Sequence, residues 1–229
     1  MKSETLEKLL EAEAARRPVV LATNLDTGAE HLIERGAEGE GPVADAARDA
    51  FRSDRSRAIE TPDGAVFLNV QNPPLRLVIV GAVHIAQALI PVAELAGFAV
   101  TVIDPRGAFA TGARFPNVDL YVEWPDEVLD ETPPDSRTAM VALTHDPKID
   151  DPALSHALRS EAFYIGALGS KKTHGGRVER LTGGGFGPDD IARIHGPIGL
   201  PIGARSPAEI AVAIMAEIIN TLRQGSAAA

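Results

Sequence analysis

The sequence predicts an α/β fold, a Rossmann-like doubly wound parallel sheet with a smaller N-terminal α+β domain. Leu77 to Val80 is a short continuous apolar run, followed by Gly81 and then by Ile85, Leu89, Val92 and Leu95 at near-helical spacing. Gly97 ends that segment, and a second apolar run, Ala99 to Ile103, closes on Asp104. Runs that are apolar on both faces suit parallel strands covered by helices. Strand, turn, helix, strand and acid together make the opening unit of a doubly wound nucleotide fold. Gln71-Asn72-Pro73-Pro74 supplies the boundary, because paired prolines stop helix and sheet alike. Residues 1–73 are thereby set apart from residues 74–229.

In the first region, Leu6, Leu9, Leu10 and Ala14 make a narrow apolar stripe on an opening helix. Arg17 to Ala22 and Glu30 to Glu34 read as strands around the turn Asp26-Thr27-Gly28. Pro42 to Arg52 reads as a helix with Val43, Ala46, Ala47, Ala50 and Phe51 inward, and Asp63-Gly64 is a hairpin signal between Arg57–Glu60 and Ala65–Val70. In the second region, strands are expected at 77–80, 99–103, 119–122, 138–143 and 163–165, the last broken by Gly166. Helices are expected over Pro125–Leu129, over Asp151–Arg159 with Pro152 in its first turn, over Ser170–Leu181 and over Pro188–Ile194. Ser206, Pro207 and Glu209 form a capping box for the last helix, whose inward face is Ile210, Ile214, Ile218 and Leu222. The closing SAAA reads as a loose tail.

A chain of 229 residues has room for one large domain or one domain with a small appendage. Its net charge of −10 argues against nucleic-acid and anionic-membrane partners. No apolar run approaches the roughly 20 residues that span a bilayer, and the charged amphipathic N-terminus lacks the apolar stretch of a signal peptide. Cysteine is absent, which excludes thiolate metal sites and cysteine nucleophiles and fits a cytoplasmic protein.

Right-handed crossovers place the strands of the second region in spatial order 3-2-1-4-5. The loop after the first strand, Gly81 to His84, then faces the loop after the fourth, Thr144-His145-Asp146, across the crevice where such folds bind ligands. The dinucleotide fingerprint is defective, with Gly81, Val83 and Ala86 at its positions. A side chain at Val83 stands where a pyrophosphate needs bare backbone, so bound NAD(P) is not expected. Asp104-Pro105-Arg106 serves either to hold a ribose or phosphate or to cap a strand. Gly166, Gly169, Ser170, Lys171 and Lys172 form a candidate cradle for a small anionic ligand at a helix start; the competing reading is a plain turn with solvated lysines. His84, His145 and Asp146 are conceivable metal ligands, but no close histidine pair accompanies them, and hydrogen-bonded loop histidines are the preferred reading. No nucleophile stands beside His145-Asp146, so no catalytic residue and no metal ligand is assigned.

GAVHIAQAL, VIDPRGAFA, RFPN, ALTHDPKIDDPAL, YIGALGSKKTHGGRVERL and RIHGPIGLPIGARSPAEIAVAIMAEII resemble the XdhC/CoxF family of xanthine dehydrogenase accessory proteins, over about residues 74 to 222. The resemblance implies a C-terminal Rossmann-like domain after a smaller N-terminal one. It implies a chaperone rather than an enzyme, one that binds molybdenum cofactor and hands it to a molybdenum hydroxylase apo-enzyme. It also implies a homodimer, as general base rates for oligomers do. The family's turn usually reads G-A-G-H, where this chain has Val83 in place of the second glycine. The family's N-terminal serine-glycine-glycine-cysteine stretch has no counterpart, so thiolate ligation of the cofactor is excluded. An NAD(P)-dependent oxidoreductase and a scaffold with an empty crevice are the alternatives.

Overall fold

The computed structural model describes residues 2–224 and divides into two compact units, Met1–Pro73 and Pro74–Ala229. The tail at residues 226–229 lies outside the described residues.

In the first unit, β1 (Val19–Asn24), β2 (Glu30–Glu34), β3 (Arg57–Thr61) and β4 (Gly64–Gln71) form an antiparallel sheet in the order β2-β1-β4-β3. Helix α2 (Pro42–Ser53) starts on Gly41 and Pro42 and packs Ala46, Ala47, Ala50 and Phe51 against Val20, Ala22, Ile33, Val66 and Leu68. That is the face expected from its spacing. The Asn24 side chain shapes the β1–β2 turn by accepting from the Asp26 and Thr27 N–H groups. The β3–β4 turn is shifted by one residue from its sequence signal. Thr61 pairs with Gly64, so Pro62 and Asp63 form the tip, and Gly64 closes it at φ 106°. Helix α1 (Ser3–Ala14) also departs from expectation: Ala12 is buried, while Leu6 and Leu10 of its apolar stripe are exposed.

The second unit is a six-stranded sheet in the order β10-β9-β8-β5-β6-β7, with every neighbouring pair parallel. Its strands are β5 (Arg76–Val80), β6 (Ala99–Ile103), β7 (Asp119–Tyr121), β8 (Thr138–Ala142), β9 (Tyr164–Ala167) and β10 (Ile194–His195). The five expected strands hold their expected order, and β10 adds a sixth. Its two residues are too short a signal to read, and they lie inside a segment rich in glycine and proline. Helices α3 (His84–Leu95) and α8 (Pro207–Gln224) cover one face of the sheet. Helices α4 (Pro125–Glu131), α5 (Pro147–Arg159), α6 (Lys171–Gly183) and α7 (Pro188–Ala192) cover the other. Leu77 and Ile79 point to the first layer, and Val78 and Val80 to the second, so β5 is apolar on both faces after Arg76. The expected α8 capping box forms: Ser206 Oγ accepts from the Glu209 N–H, and the Glu209 carboxylate accepts from the Ser206 N–H.

Two boundaries differ in ways that affect the site. Helix α5 begins a turn earlier than expected, with Asp146 as N-cap and Pro147 as first residue, and Pro152 therefore sits inside it. Gly166 does not break β9 but lies within it, paired with His195. It is therefore not part of the turn that leads into α6. Its bare Cα is filled from the α8 layer, since a Cβ there would lie 2.5 Å from Ile198 Cδ1 and 2.8 Å from Tyr164 Cε1. Replacing Gly166 by alanine is expected to cost about 1–3 kcal/mol through this overlap. In a urea-denaturation cycle with Ile198→Ala, the double variant should lose less than the sum of the single variants, because the second change makes room for the first.

Candidate functional site

At the carboxyl edge of the sheet, the exits of β5 and β8 meet. Gly81 has φ 117°, and a Cβ on it would lie 2.7 Å from Thr144 Cγ2. Glycine is required here both by conformation and by contact. The two loops that the strand order placed face to face therefore touch at Gly81 and Thr144.

The β5 exit is tied to the β6 exit. The buried Asp104 carboxylate accepts from the Ala82 N–H at 2.7 Å and from Arg106 three times, at its N–H (3.0 Å), Nε (2.8 Å) and Nη2 (2.7 Å). Burial pushes this carboxyl up, but the Arg106 side chain, the two N–H groups and the Arg106 charge together hold it below its ordinary value. Asp104 is thus engaged within its own fold, by Ala82 and Arg106. Arg106 stacks over Phe109 and feels the charges of Asp146 and Asp150. A residue that the sequence does not single out completes the tie. From the segment between β6 and β7, Arg114 donates to the Ala82 carbonyl at 3.1 Å and to Gln87 Oε1 at 3.0 Å, and so braces the same turn against α3.

Val83 is extended and half-buried against the α3–α8 layer, and α3 begins at the exposed His84 with no side-chain cap.

The β8 exit is organised by Asp150, which a helix starting at residue 151 leaves out. Its carboxylate accepts from Thr144 Oγ1 at 2.6 Å, from the Thr144 N–H at 3.3 Å and from the His145 N–H at 3.0 Å. These bonds hold the exposed His145 in the left-handed region, at φ 64°. A non-glycine residue persists there only when its surroundings over-determine it. Asp146 is spent locally: its side chain caps α5 through the Lys148 N–H, and its own N–H donates to Thr144 Oγ1. Burial pushes the Asp150 carboxyl up, and its hydrogen bonds and the Arg177 charge only partly offset that.

Arg177 faces Asp150 from α6, with Nη2 3.9 Å from Asp150 Oδ2 and 2.9 Å from the Leu168 carbonyl at the β9 exit. Both charged side chains are 2 % exposed, so the pair is buried between the β8 and β9 exits. No short spacing links residues 150 and 177, and only the tertiary fold reveals the pair.

At the start of α6, Ser170 is the N-cap, accepting from the Thr173 N–H, and Gly169 has φ 142° with Thr173 packed against it. Lys171 and Lys172 are exposed, and among the described residues neither has an ion-pair partner. Ser170, Lys171 and Lys172 thus sit together at one helix start, as the sequence suggests, with Gly166 withdrawn into β9. Among the described residues no group of three or more His, Asp or Glu is placed to hold a metal ion. No described helix is long and apolar enough to cross a membrane.

A family model described as the XdhC Rossmann domain matches residues 77–218. The chain is 35 % identical over 163 residues to a Bacillus subtilis protein named as a probable xanthine dehydrogenase component, covering 69 % of this chain and 46 % of that protein. It is 34 % identical over 86 residues to the molybdenum cofactor insertion chaperone PaoD of Escherichia coli, covering 38 % of this chain and 27 % of that one. A crystal structure of a xanthine dehydrogenase from Bacillus halodurans superposes with a TM-score of 0.65 at 26 % identity, over 99 % of this chain and 66 % of that one. The chain spans less than half the length of the curated relatives it matches.

The Asp104 tie has a measurable signature. Asp104→Asn should destabilise the chain by about 2–3 kcal/mol at neutral pH, since it breaks a buried pair and leaves Arg106 without its partner. A carboxyl held below its ordinary value stabilises the fold above the unfolded value, near pH 4, and the contribution is lost as pH falls through the lowered folded value. The gap between wild type and variant in urea unfolding should therefore be full at pH 7 and narrow on acidification below pH 4.

Proposed function

The chain belongs to the XdhC Rossmann-domain family, and from that premise we propose that it is an accessory protein in the maturation of a molybdenum hydroxylase. In this reading it binds the molybdenum cofactor, or the nucleotide form of it, and hands it to the apo-enzyme. The observation that carries the reading is the family match over residues 77–218, joined to relatives named as a xanthine dehydrogenase component and as a molybdenum cofactor insertion chaperone. A homodimer and a cytoplasmic setting belong to the same proposal.

The cargo is a pterin bearing a phosphate, and the donor set suits its organic end. The α6 turn offers a helix N-terminus, a glycine-bounded backbone and two exposed lysines to a phosphate. His84, His145 and Thr144 line the adjacent loops with groups able to donate or accept toward a pterin edge. The absence of cysteine leaves the metal end without a thiolate from this chain. The chain's part is therefore to seat the phosphate and orient the pterin, while the metal keeps the ligands it arrives with.

The strand order is that of dinucleotide-binding domains, which favours an NAD(P)-dependent oxidoreductase as a second reading. Val83 and the internal engagement of Asp104 oppose it, since one puts a side chain where the dinucleotide fingerprint has glycine and the other commits the acid to Ala82 and Arg106. A cofactor chaperone needs a site that releases its cargo, which the exposed lysines and open loops suit.

Calorimetric titration of the purified chain with molybdenum cofactor, CTP and NADH separates these readings. Binding of the cofactor without NADH is the expected result, whereas binding of NADH alone, with turnover of a substrate, overturns the chaperone reading. Lys171→Ala with Lys172→Ala is expected to weaken cofactor binding by about 1–3 kcal/mol through loss of charge-assisted contacts. An unchanged affinity would remove the phosphate from the α6 turn.

A further inference from the structure

The buried Arg177 has more donor capacity than the protein uses. One nitrogen, Nη2, donates to the Leu168 carbonyl at 2.9 Å and faces Asp150 at 3.9 Å. The other two, Nε and Nη1, are buried and have no hydrogen-bond partner. A buried guanidinium with unmade hydrogen bonds is costly, and a native fold that keeps one calls for a reason.

Its position supplies one. Side chains on a helix lean toward the helix N-terminus. Arg177 follows that direction back to Leu168, the residue before the Gly169–Ser170 turn that opens α6. The guanidinium therefore lies against the Leu168 carbonyl, one residue before the turn that leads to Lys171 and Lys172. His174, one turn nearer the N-terminus on the same side of α6, also has a buried and unpartnered Nδ1, packed against Gly196. Burial and the Arg177 charge hold this histidine below its ordinary value. Among the described residues, Asp150 is the acidic side chain within 4 Å of Arg177, and it is shared with three donors of the β8 exit.

We propose that the α6 N-terminal turn is a seat for a phosphate-type oxyanion and that Arg177, buried against the Leu168 carbonyl just before it, is the seat's fixed countercharge. The lysines meet the anion from the solvent side, where water and salt screen them. Arg177 acts from the protein side, where screening is weak; Asp150 and Asp151 both act on its charge, but the Asp150 carboxylate stands 3.9 Å away and is shared with three other donors. This deepens the cofactor-delivery reading, which already seats a phosphate at this turn, by naming the buried group behind it, and it rests on that reading for the identity of the cargo. Arg177 is a positioning residue, acting through the turn and its N–H groups.

The test uses the full chain and inorganic phosphate alone, read by calorimetry and by the rise in melting temperature that ligand binding produces. Arg177→Met leaves Asp150 buried without its cation and is liable to unfold. Asp150→Asn with Arg177→Met removes both charges together, a change that buried pairs tolerate. The double variant should fold and bind phosphate about tenfold more weakly, as expected for loss of one charge-assisted partner. Asp150→Asn alone leaves Arg177 buried without its anion and is liable to unfold as well, so its affinity is read only in protein shown folded by circular dichroism, where it should bind phosphate more tightly than wild type. Structural damage would instead weaken binding in both variants. Failure of the wild type to bind phosphate at tens of millimolar, or affinity in the folded double variant within about twofold of wild type, overturns the proposal. Molybdenum cofactor plays no part in this measurement, so phosphate binding without cofactor binding would refute the delivery reading and leave the seat standing.

Discussion

The carboxyl edge of this fold depends on one buried carboxylate. Asp150 takes the Thr144 hydroxyl and the Thr144 and His145 N–H groups on one side and faces Arg177 on the other. Through the first set it fixes the β8 exit, sets His145 in the left-handed region and places Thr144 against Gly81. Through the second it offsets the charge that Arg177 brings to the β9 exit. A buried ion of either sign is tolerable only when paired or hydrogen-bonded. Each partner therefore explains the other's presence in a core otherwise made largely of alanine, valine, leucine and isoleucine.

A parallel construction holds the β5 exit, where Asp104 gathers Ala82 and Arg106 while Arg114 braces the turn from outside. Both buried acids of the crevice are thus committed to scaffolding. Outside them lie the exposed His84, His145, Lys171 and Lys172 and the start of α6, with the half-exposed Asp146 capping α5.

Much of the fold is legible because its signals are local. Continuous apolar runs mark five parallel strands, Gly81 and Gly97 mark the ends of α3, and Ser206-Pro207 with Glu209 mark the start of α8. Right-handed crossovers then suffice to order the strands. What is not legible lacks a local signal. The strand β10 is two residues long and exists because Ile194 and His195 find β9 beside them. Gly166 reads as a breaker, yet it stays in its strand because Ile198 fills the space above it. Leu6 and Leu10 read as a buried stripe, yet they are exposed.

The same division holds for the site. Sequence alone determined the fold class, the crevice between the first and fourth strands, the α6 turn with its lysines and the lack of any cysteine ligand. These follow from periodicity, handedness and residue type, which neighbours along the chain already express. The tertiary structure decided which acids remain free: Asp104 is consumed by Arg106, and Asp150 and Arg177, 27 positions apart in the chain, are brought to 3.9 Å. The reason is physical. A carboxylate's role depends on which donors reach it, and those donors arrive from other strands and helices only when the sheet closes.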